Sequence, residues 1–340
     1  MFLWYHYFEA KPLYNVIRVY IAAYIWMTGF GNFSYYYVRR DFSLTRFLQM
    51  QWRLNFLVAF VVMTMADEYM NYYICPLHTM FTVLVFLSMG IYSSVNYMRG
   101  GITLKLVGLL ILSILLWDWD LYSQPLATST STTPNLTTYM FQAIFSSRPL
   151  RAIAEYRGDL AEWSFRSHLD HLIWIFGMLC AYLFPLGNGA LRFAENKLPS
   201  SQCFAIKAFV LAVCAAAGYF WYVEVLKQPK LRYNAMHPFT SWIPISIFLV
   251  LRNISVTARR HHLALFSWLG KLTLETYISQ FHIWLASAYS ENGWRTNGQP
   301  KRVLRLLPLG RYYHPLINFL IVGAGYIFVC YRIFYCTVGL

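Results

Sequence analysis

Residues 270–284 read Gly-Lys-Leu-Thr-Leu-Glu-Thr-Tyr-Ile-Ser-Gln-Phe-His-Ile-Trp inside an apolar stretch. On a helix, Glu275, Ser279 and His282 fall at i, i+4 and i+7 and share one face, bordered by Thr276 and Gln280. A carboxylate, a hydroxyl and an imidazole along one stripe are costly against lipid. They belong in a bundle interior, where Glu275 or a neighbour can orient His282 for proton transfer. The same stripe also suits a polar ladder that holds helices together without chemistry. A second imidazole, His6, sits in Trp4-Tyr5-His6-Tyr7-Phe8, where it can take a proton from a hydroxyl. The residues alone favour an interfacial histidine among aromatics there. Arg18 lies about one turn into an apolar run and either reaches for the interface or holds an anionic group. Arg39, Arg40 and Arg53 suit the phosphates of a coenzyme, or they simply set topology. His78 and His237 stand singly at segment ends and read as structural. The run from Thr28 to Phe33 reads as a helix end with close backbone approach. No His, Cys, Asp or Glu grouping has metal-ligand spacing, so no metal is expected.

These side chains need a scaffold, and the composition says which kind. Of 340 residues 58% are hydrophobic and 12% charged, with a mean hydropathy of +0.42. A soluble domain carries about 25% charged residues. The deficit falls in stretches long enough to span lipid, so the expected class is all-α, a polytopic membrane bundle of about eight to ten transmembrane or re-entrant helices. The segments are residues 14–30, 54–66, 74–95, 102–117, 172–185, 204–223, 239–251, 263–288 and 315–335. Those at 54, 172 and 239 are short for a crossing of about 20 residues and are expected to tilt or break. Residues 1–8 are apolar but stop at Lys11-Pro12, which reads as the back end of a helix whose front is missing. The six cysteines lack C-x-x-C pairing and read as small buried hydrophobes.

The net charge of +14 resides in loops between apolar runs, where it sets topology and meets lipid phosphates or an anionic cofactor rather than nucleic acid. Arg39, Arg40, Arg46 and Arg53 place residues 31–53 on the cytosolic side. Alternation then puts Asp67-Glu68 and a long loop at 118–171 in the lumen, where the sequon Asn135-Leu136-Thr137 is compatible with glycosylation. Glu162, Arg166 and Asp170 are spaced i, i+4 as a charge ladder at the entry to the next segment. The whole of 1–340 reads as a single membrane domain. It contains no Gly-Asp-Ser nucleophile motif and no Asp-x-x-His pair, and therefore no soluble serine-esterase module.

Several stretches carry a family resemblance: Tyr5-His6-Tyr7-Phe8, Tyr14-Asn15-Val16-Ile17-Arg18, Trp26-Met27-Thr28-Gly29-Phe30-Gly31-Asn32-Phe33 and Trp52-Arg53-Leu54-Asn55-Phe56. Glu162-Trp163-Ser164-Phe165-Arg166, His237-Pro238-Phe239-Thr240-Ser241-Trp242 and the run from Leu269 to Trp284 extend it. Together they resemble the membrane domain of the eukaryotic ten-helix glycan O-acetyltransferases. That family includes the reduced-wall-acetylation proteins of plants, the capsule polysaccharide O-acetylation proteins of fungi and the animal sialate O-acetyltransferase. It is related to the acyltransferase-3 superfamily. By that resemblance His6 is the catalytic histidine, with its basic partner ahead of Met1. Tyr277 to His282 corresponds to the superfamily's closing Tyr-x-x-x-x-His helix.

The resemblance implies acetyl-CoA as donor substrate, bound from the cytosol near Arg18, Arg39, Arg40 and Arg53. The acceptor would be a lumenal cell-wall or capsule glycan, or a separate lumenal acetyltransferase. The membrane would be that of the Golgi or another secretory compartment. His6 would act as general base or acyl carrier, with His282 and Glu275 lining the same cavity. The competing expectation is a transporter that carries acetyl-CoA or another acetyl donor across the membrane, since broken helices and midplane polar groups suit that role too.

Overall fold

The computed structural model describes residues 2–65, 67, 69–118, 161–285 and 315–339, and among them every regular element is helical. In chain order the helices are α1 Phe2–Tyr7, α2 Tyr14–Arg39, α3 Leu44–Met65, α4 Ile74–Gly90 and α5 Gly101–Trp117. Then follow α6 Ala161–Leu169, α7 Ile173–Lys197, α8 Ser200–Trp221, α9 Lys230–Thr240 and α10 Trp242–Asn253. Next come α11 Val256–Arg260, α12 Ala264–Lys271 and α13 Thr273–Ile283, with α14 Pro315–Val338 last.

The apolar side chains face outward as well as inward, as they must where the solvent is lipid. Phe204, Phe209 and Tyr219 of α8 are exposed, as are Leu104 and Ile111 of α5 and Leu316, Leu320 and Phe328 of α14. Three stretches, Trp163–Lys197, Ser200–Leu226 and Leu316–Val338, are long and apolar enough to cross a membrane, and the α8 window buries none of its residues inside the protein. So much exposed apolar surface would aggregate in water. It marks an all-α, multi-pass membrane protein.

The organising contact is between α2 and α7. α2 runs 26 residues, about 39 Å at 1.5 Å per residue, longer than a ~30 Å hydrocarbon core. A Cβ on Gly29 would fall on the carbonyl oxygen of Trp174, and one on Gly177 would fall on that of Trp26. The two backbones touch because both positions lack side chains, the small-residue packing that membrane helices use where no hydrophobic driving force separates them from lipid. Ile21, Ala22, Ile25 and Phe33 of α2 close the core with Trp174 and Met178 of α7 and Phe81 of α4. α3 then packs on α4, α13 and α14, and α13 also meets α1.

Several expected boundaries move. The run 28–33 is not a helix end, because α2 continues to Arg39 and stops where Arg40 turns left-handed at φ 56°. The close backbone approach inferred at Gly29 is real, but it serves helix crossing. The segment expected at 263–288 is broken into α12 and α13 at Leu272. The short segments at 54 and 172 lengthen into α3 and α7, which recruit polar turns and, in α7, carry Pro185 in their interior. The loop expected at 118–171 contains α6, with Asp118, Asp170 and His171 buried beside it. Asn135 lies outside the described residues.

Candidate active site

A cavity of about 530 Å³ opens among α2, α3, α4 and the α12–α13 break. Along α2 its wall runs from Ile21 through Tyr24, Thr28 and Asn32 to Tyr35, about 21 Å of helix. Arg46 and Arg53 of α3 and Lys271 at the end of α12 line it too, Arg46 beside Tyr35. Phe2, Ile74, His78 and Tyr277 line it elsewhere. Its size falls in the ~300–1,000 Å³ range of small-molecule sites. The break at Leu272 places Gly270, Lys271 and Thr273 on the wall, where irregular backbone at membrane depth is tolerated because it borders a cavity.

His78 is the buried titratable group on this wall. Its Nδ1 lies 2.6 Å from Thr28 Oγ1, its Nε2 has no hydrogen-bond partner among the described residues, and Tyr24 meets its ring edge-on. Thr28 Oγ1 also lies 3.3 Å from the carbonyl oxygen of Tyr24. When the hydroxyl hydrogen is directed at that carbonyl, His78 Nδ1–H donates to Thr28 and Nε2 presents a lone pair. A lone histidine at a segment end, read from the sequence as structural, thus stands on the cavity wall.

The basic residues divide into three kinds. Arg46 lines the cavity, with its guanidinium 4.3 Å from the centre of the Tyr35 ring. Arg53 also lines it, but grips Glu275 with both nitrogens: Nη1 donates to Oε1, and Nη2 to Oε2 at 3.1 Å. Arg39 and Arg40 stand apart from the cavity wall, and the Arg40 guanidinium stacks 4.0 Å from the centre of the Tyr97 ring. In the connection between α2 and α3, the Ser43 backbone amide, the Ser43 hydroxyl and Tyr35 Oη hold the Asp41 carboxyl below the usual carboxylate range.

None of the three expected catalytic residues is on the wall just described. Glu275 is fully buried and neutralised by Arg53, so it does not orient His282. That role belongs to Tyr72, whose Oη lies 2.6 Å from His282 Nε2 and donates to Asp67 Oδ2 at 2.9 Å. With its hydrogen committed to the carboxylate, the tyrosine oxygen accepts from His282 Nε2–H and leaves Nδ1 as the free base. His6, on α1, packs its ring edge-on to Phe281 at 5.8 Å, and Tyr72 meets the same phenyl at 5.6 Å. Phe281, one turn along α13 from the cavity residue Tyr277, is thus a shared contact of His6 and of the tyrosine that holds His282.

Arg18 neither reaches an interface nor opens to a ligand. It is 2% exposed and donates from Nη2 to Asp170 Oδ2 at 2.6 Å. Asp170 Oδ1 lies 3.7 Å from His237 Nε2, and His237 Nδ1 lies 2.8 Å from Tyr233 Oη. Asp170 thus pairs with α2 rather than closing a ladder with Arg166, which stacks on Tyr73 instead. Tyr72 escaped sequence reasoning, and Arg46 was read only as topology-setting charge, because each is defined as a site residue by a partner on another helix, His282 and Tyr35.

The structure is thus a helical, multi-pass membrane protein with a cavity that three cationic side chains and a buried imidazole line. The chain belongs to the family of the 10 TM acyl transferase domain found in Cas1p, whose family model matches residues 1–340. It is 32% identical over 330 residues, 94% of its length, to the N-acetylneuraminate (7)9-O-acetyltransferase of Danio rerio. The chain spans 37% of that relative's length. No solved structure matches it.

Proposed function

We propose that the chain is the membrane O-acetyltransferase unit of a secretory compartment such as the Golgi. In this reading it takes acetyl groups from cytosolic acetyl-CoA and delivers them to lumenal glycan hydroxyls, those of cell-wall or capsule polysaccharide above all. The observation that carries this reading is the cavity, which combines three cationic side chains with a buried imidazole on one wall. Phosphates of the coenzyme meet Arg46 and Lys271, with Arg53 behind them, and the apolar wall of α2 takes the pantetheine arm. Arg39 and Arg40 mark the cytosolic face without touching the cavity.

For transfer, the acceptor oxygen bonds to the thioester carbonyl carbon, the carbon–sulfur bond breaks, and the hydroxyl proton passes to an imidazole. The departing thiolate then takes a proton. His6 is the base of this proposal, and His282, Tyr72 and Asp67 form a second acid–base cluster that meets Phe281 through Tyr72. His78 faces the donor side.

The test is acetyl-CoA binding to purified protein in lipid nanodiscs. Charge-assisted hydrogen bonds contribute about 1.5–3 kcal/mol each, so Arg46→Glu or Lys271→Glu should weaken binding by about tenfold or more. Unchanged affinity in both would rule the cavity out as the coenzyme site. The helix break at Leu272 beside the cavity also suits a transporter of the donor. Acetyl-CoA crossing sealed proteoliposomes intact, with no free CoA released, would establish that second reading.

A further inference from the structure

We propose that Asp118, His168 and His171 form a binding site for a divalent transition-metal ion, with zinc as the expected occupant. The sequence showed no metal spacing because Asp118 lies 50 residues or more from both histidines along the chain. Folding brings them together where α5 ends against α6 and the turn into α7. One donor atom from each lies within 4.8 Å of the others.

The hydrogen bonds themselves ask for a cation. His168 Nε2 lies 2.8 Å from Asp118 Oδ1, and His171 Nε2 lies 3.0 Å from Oδ2. The other nitrogen of His171, Nδ1, lies 2.5 Å from the carbonyl oxygen of His168 and must donate to it, since a carbonyl only accepts. That bond fixes the tautomer, and a neutral His171 then turns a bare Nε2 lone pair onto a carboxylate oxygen. Two acceptors face each other in a site where His171 is 0% and Asp118 1% exposed. A metal ion resolves the conflict, and the Nδ1–H to carbonyl bond is the outer support that metal-bound histidines commonly carry.

Tetrahedral zinc with bonds of about 2.0–2.1 Å holds its ligands about 3.3 Å apart, so the 2.8 and 3.0 Å carboxylate–imidazole distances open by a few tenths of an ångström and any wider separation, at most 4.8 Å, closes toward that value. The surroundings are already rigid. Trp117 stacks on His171, and Ser113 Oγ and Trp174 Nε1 both donate to the His171 carbonyl oxygen. Two histidine nitrogens and one carboxylate oxygen suit zinc, with other first-row divalent ions as weaker fits. Bound there, the ion would clamp α5 to the turn that carries Asp170 and so hold the partner of Arg18.

The experiment is elemental analysis of the full chain, purified in lipid nanodiscs through a tag without histidine. About one equivalent of zinc or another divalent transition metal per chain is expected. Asp118→Ala should lose it, and a His261→Ala/His262→Ala double variant, altering imidazoles elsewhere, should keep it. If Asp118→Ala fails to fold, the wild type decides. A chelator should then lower its melting temperature and added zinc chloride restore it. Metal-free wild type whose melting temperature does not respond to zinc would overturn the proposal and leave a proton in the cation's place. Metal retained by folded Asp118→Ala, or lost from the His261/His262 double variant, would overturn it equally.

Discussion

Arg53 of α3 and Glu275 of α13 face each other as a two-point ion pair, with the carboxylate fully buried and the guanidinium on the cavity wall. The pair pins the first turn of α13, just past the helix break, to the centre of α3. It also fixes what each residue is able to do. Glu275 is an anchor and not a free base, and Arg53 offers a coenzyme only the charge left over from that anchor.

Truncating one partner of such a pair should cost far more than removing both. Arg53→Met leaves a buried carboxylate without its cation, and buried pairs broken on one side typically lose about 3–5 kcal/mol. Arg53 is partly exposed, so the lower end is expected. Glu275→Gln keeps shape and some hydrogen bonding and should lower stability less. In the double variant part of the loss should return, as a double-mutant cycle of thermal melts in nanodiscs would reveal. Strict additivity of the two single effects would mean that the pair contributes nothing to stability.

Gly29 and Gly177 should tolerate no side chain. In each case an added Cβ meets backbone, which cannot swing away as a side-chain tip can. Overpacking of this kind costs about 1–3 kcal/mol for small additions. Gly29→Val and Gly177→Val should therefore lower the melting temperature, while Gly108→Val in α5, where nothing lies within 4 Å, should not. Equal melting temperatures for all three would contradict the close crossing of α2 and α7.

Arg18 and Asp170 should behave as structure rather than as ligand site. Asp170→Asn removes the buried charge that Arg18 needs, so the folded yield should drop steeply. Coenzyme affinity in whatever protein folds should stay near the wild-type value. A folded variant with weakened acetyl-CoA binding would return Arg18 to the list of coenzyme contacts.

How much of this was legible in the sequence depends on where the signal lives. Composition and hydropathy act along the chain, so the all-α membrane class and most segments could be read from them. Helical spacing brought out Glu275 and His282 because i, i+4 and i+7 share a face whatever the tertiary fold. Their partners, Arg53 on α3 and Tyr72 before α4, come from distant chain and leave no periodic trace. The Gly29 motif showed that backbone would come close, but not that the neighbour would be α7. His78 was passed over because one histidine at a segment end carries no pattern. Its meaning depends on Thr28, 50 residues away, and on a cavity that neither helix forms alone.

The histidines give the last and sharpest prediction, because three imidazoles occupy three different positions. His6 rests on Phe281, His282 is tied through Tyr72 to Asp67, and His78 stands on the cavity wall with Nε2 unpartnered among the described residues. If His6 is the base, His6→Ala should lower acetyl transfer by about 10²–10⁴-fold, the usual contribution of a general base. Acetyl-CoA affinity should hardly change, because His6 is not among the cavity's lining residues. Tyr72→Phe should have a smaller effect, since it cuts the link between His282 and Asp67 while keeping the ring against Phe281. His78→Ala should act on the donor side, raising the KM for acetyl-CoA as well as lowering kcat. The measurement is steady-state transfer from labelled acetyl-CoA to a glycan acceptor, with KM and kcat resolved for each folded variant. A wild-type rate for His6→Ala together with a collapse of kcat for His78→Ala would move the chemistry from His6 into the cavity itself.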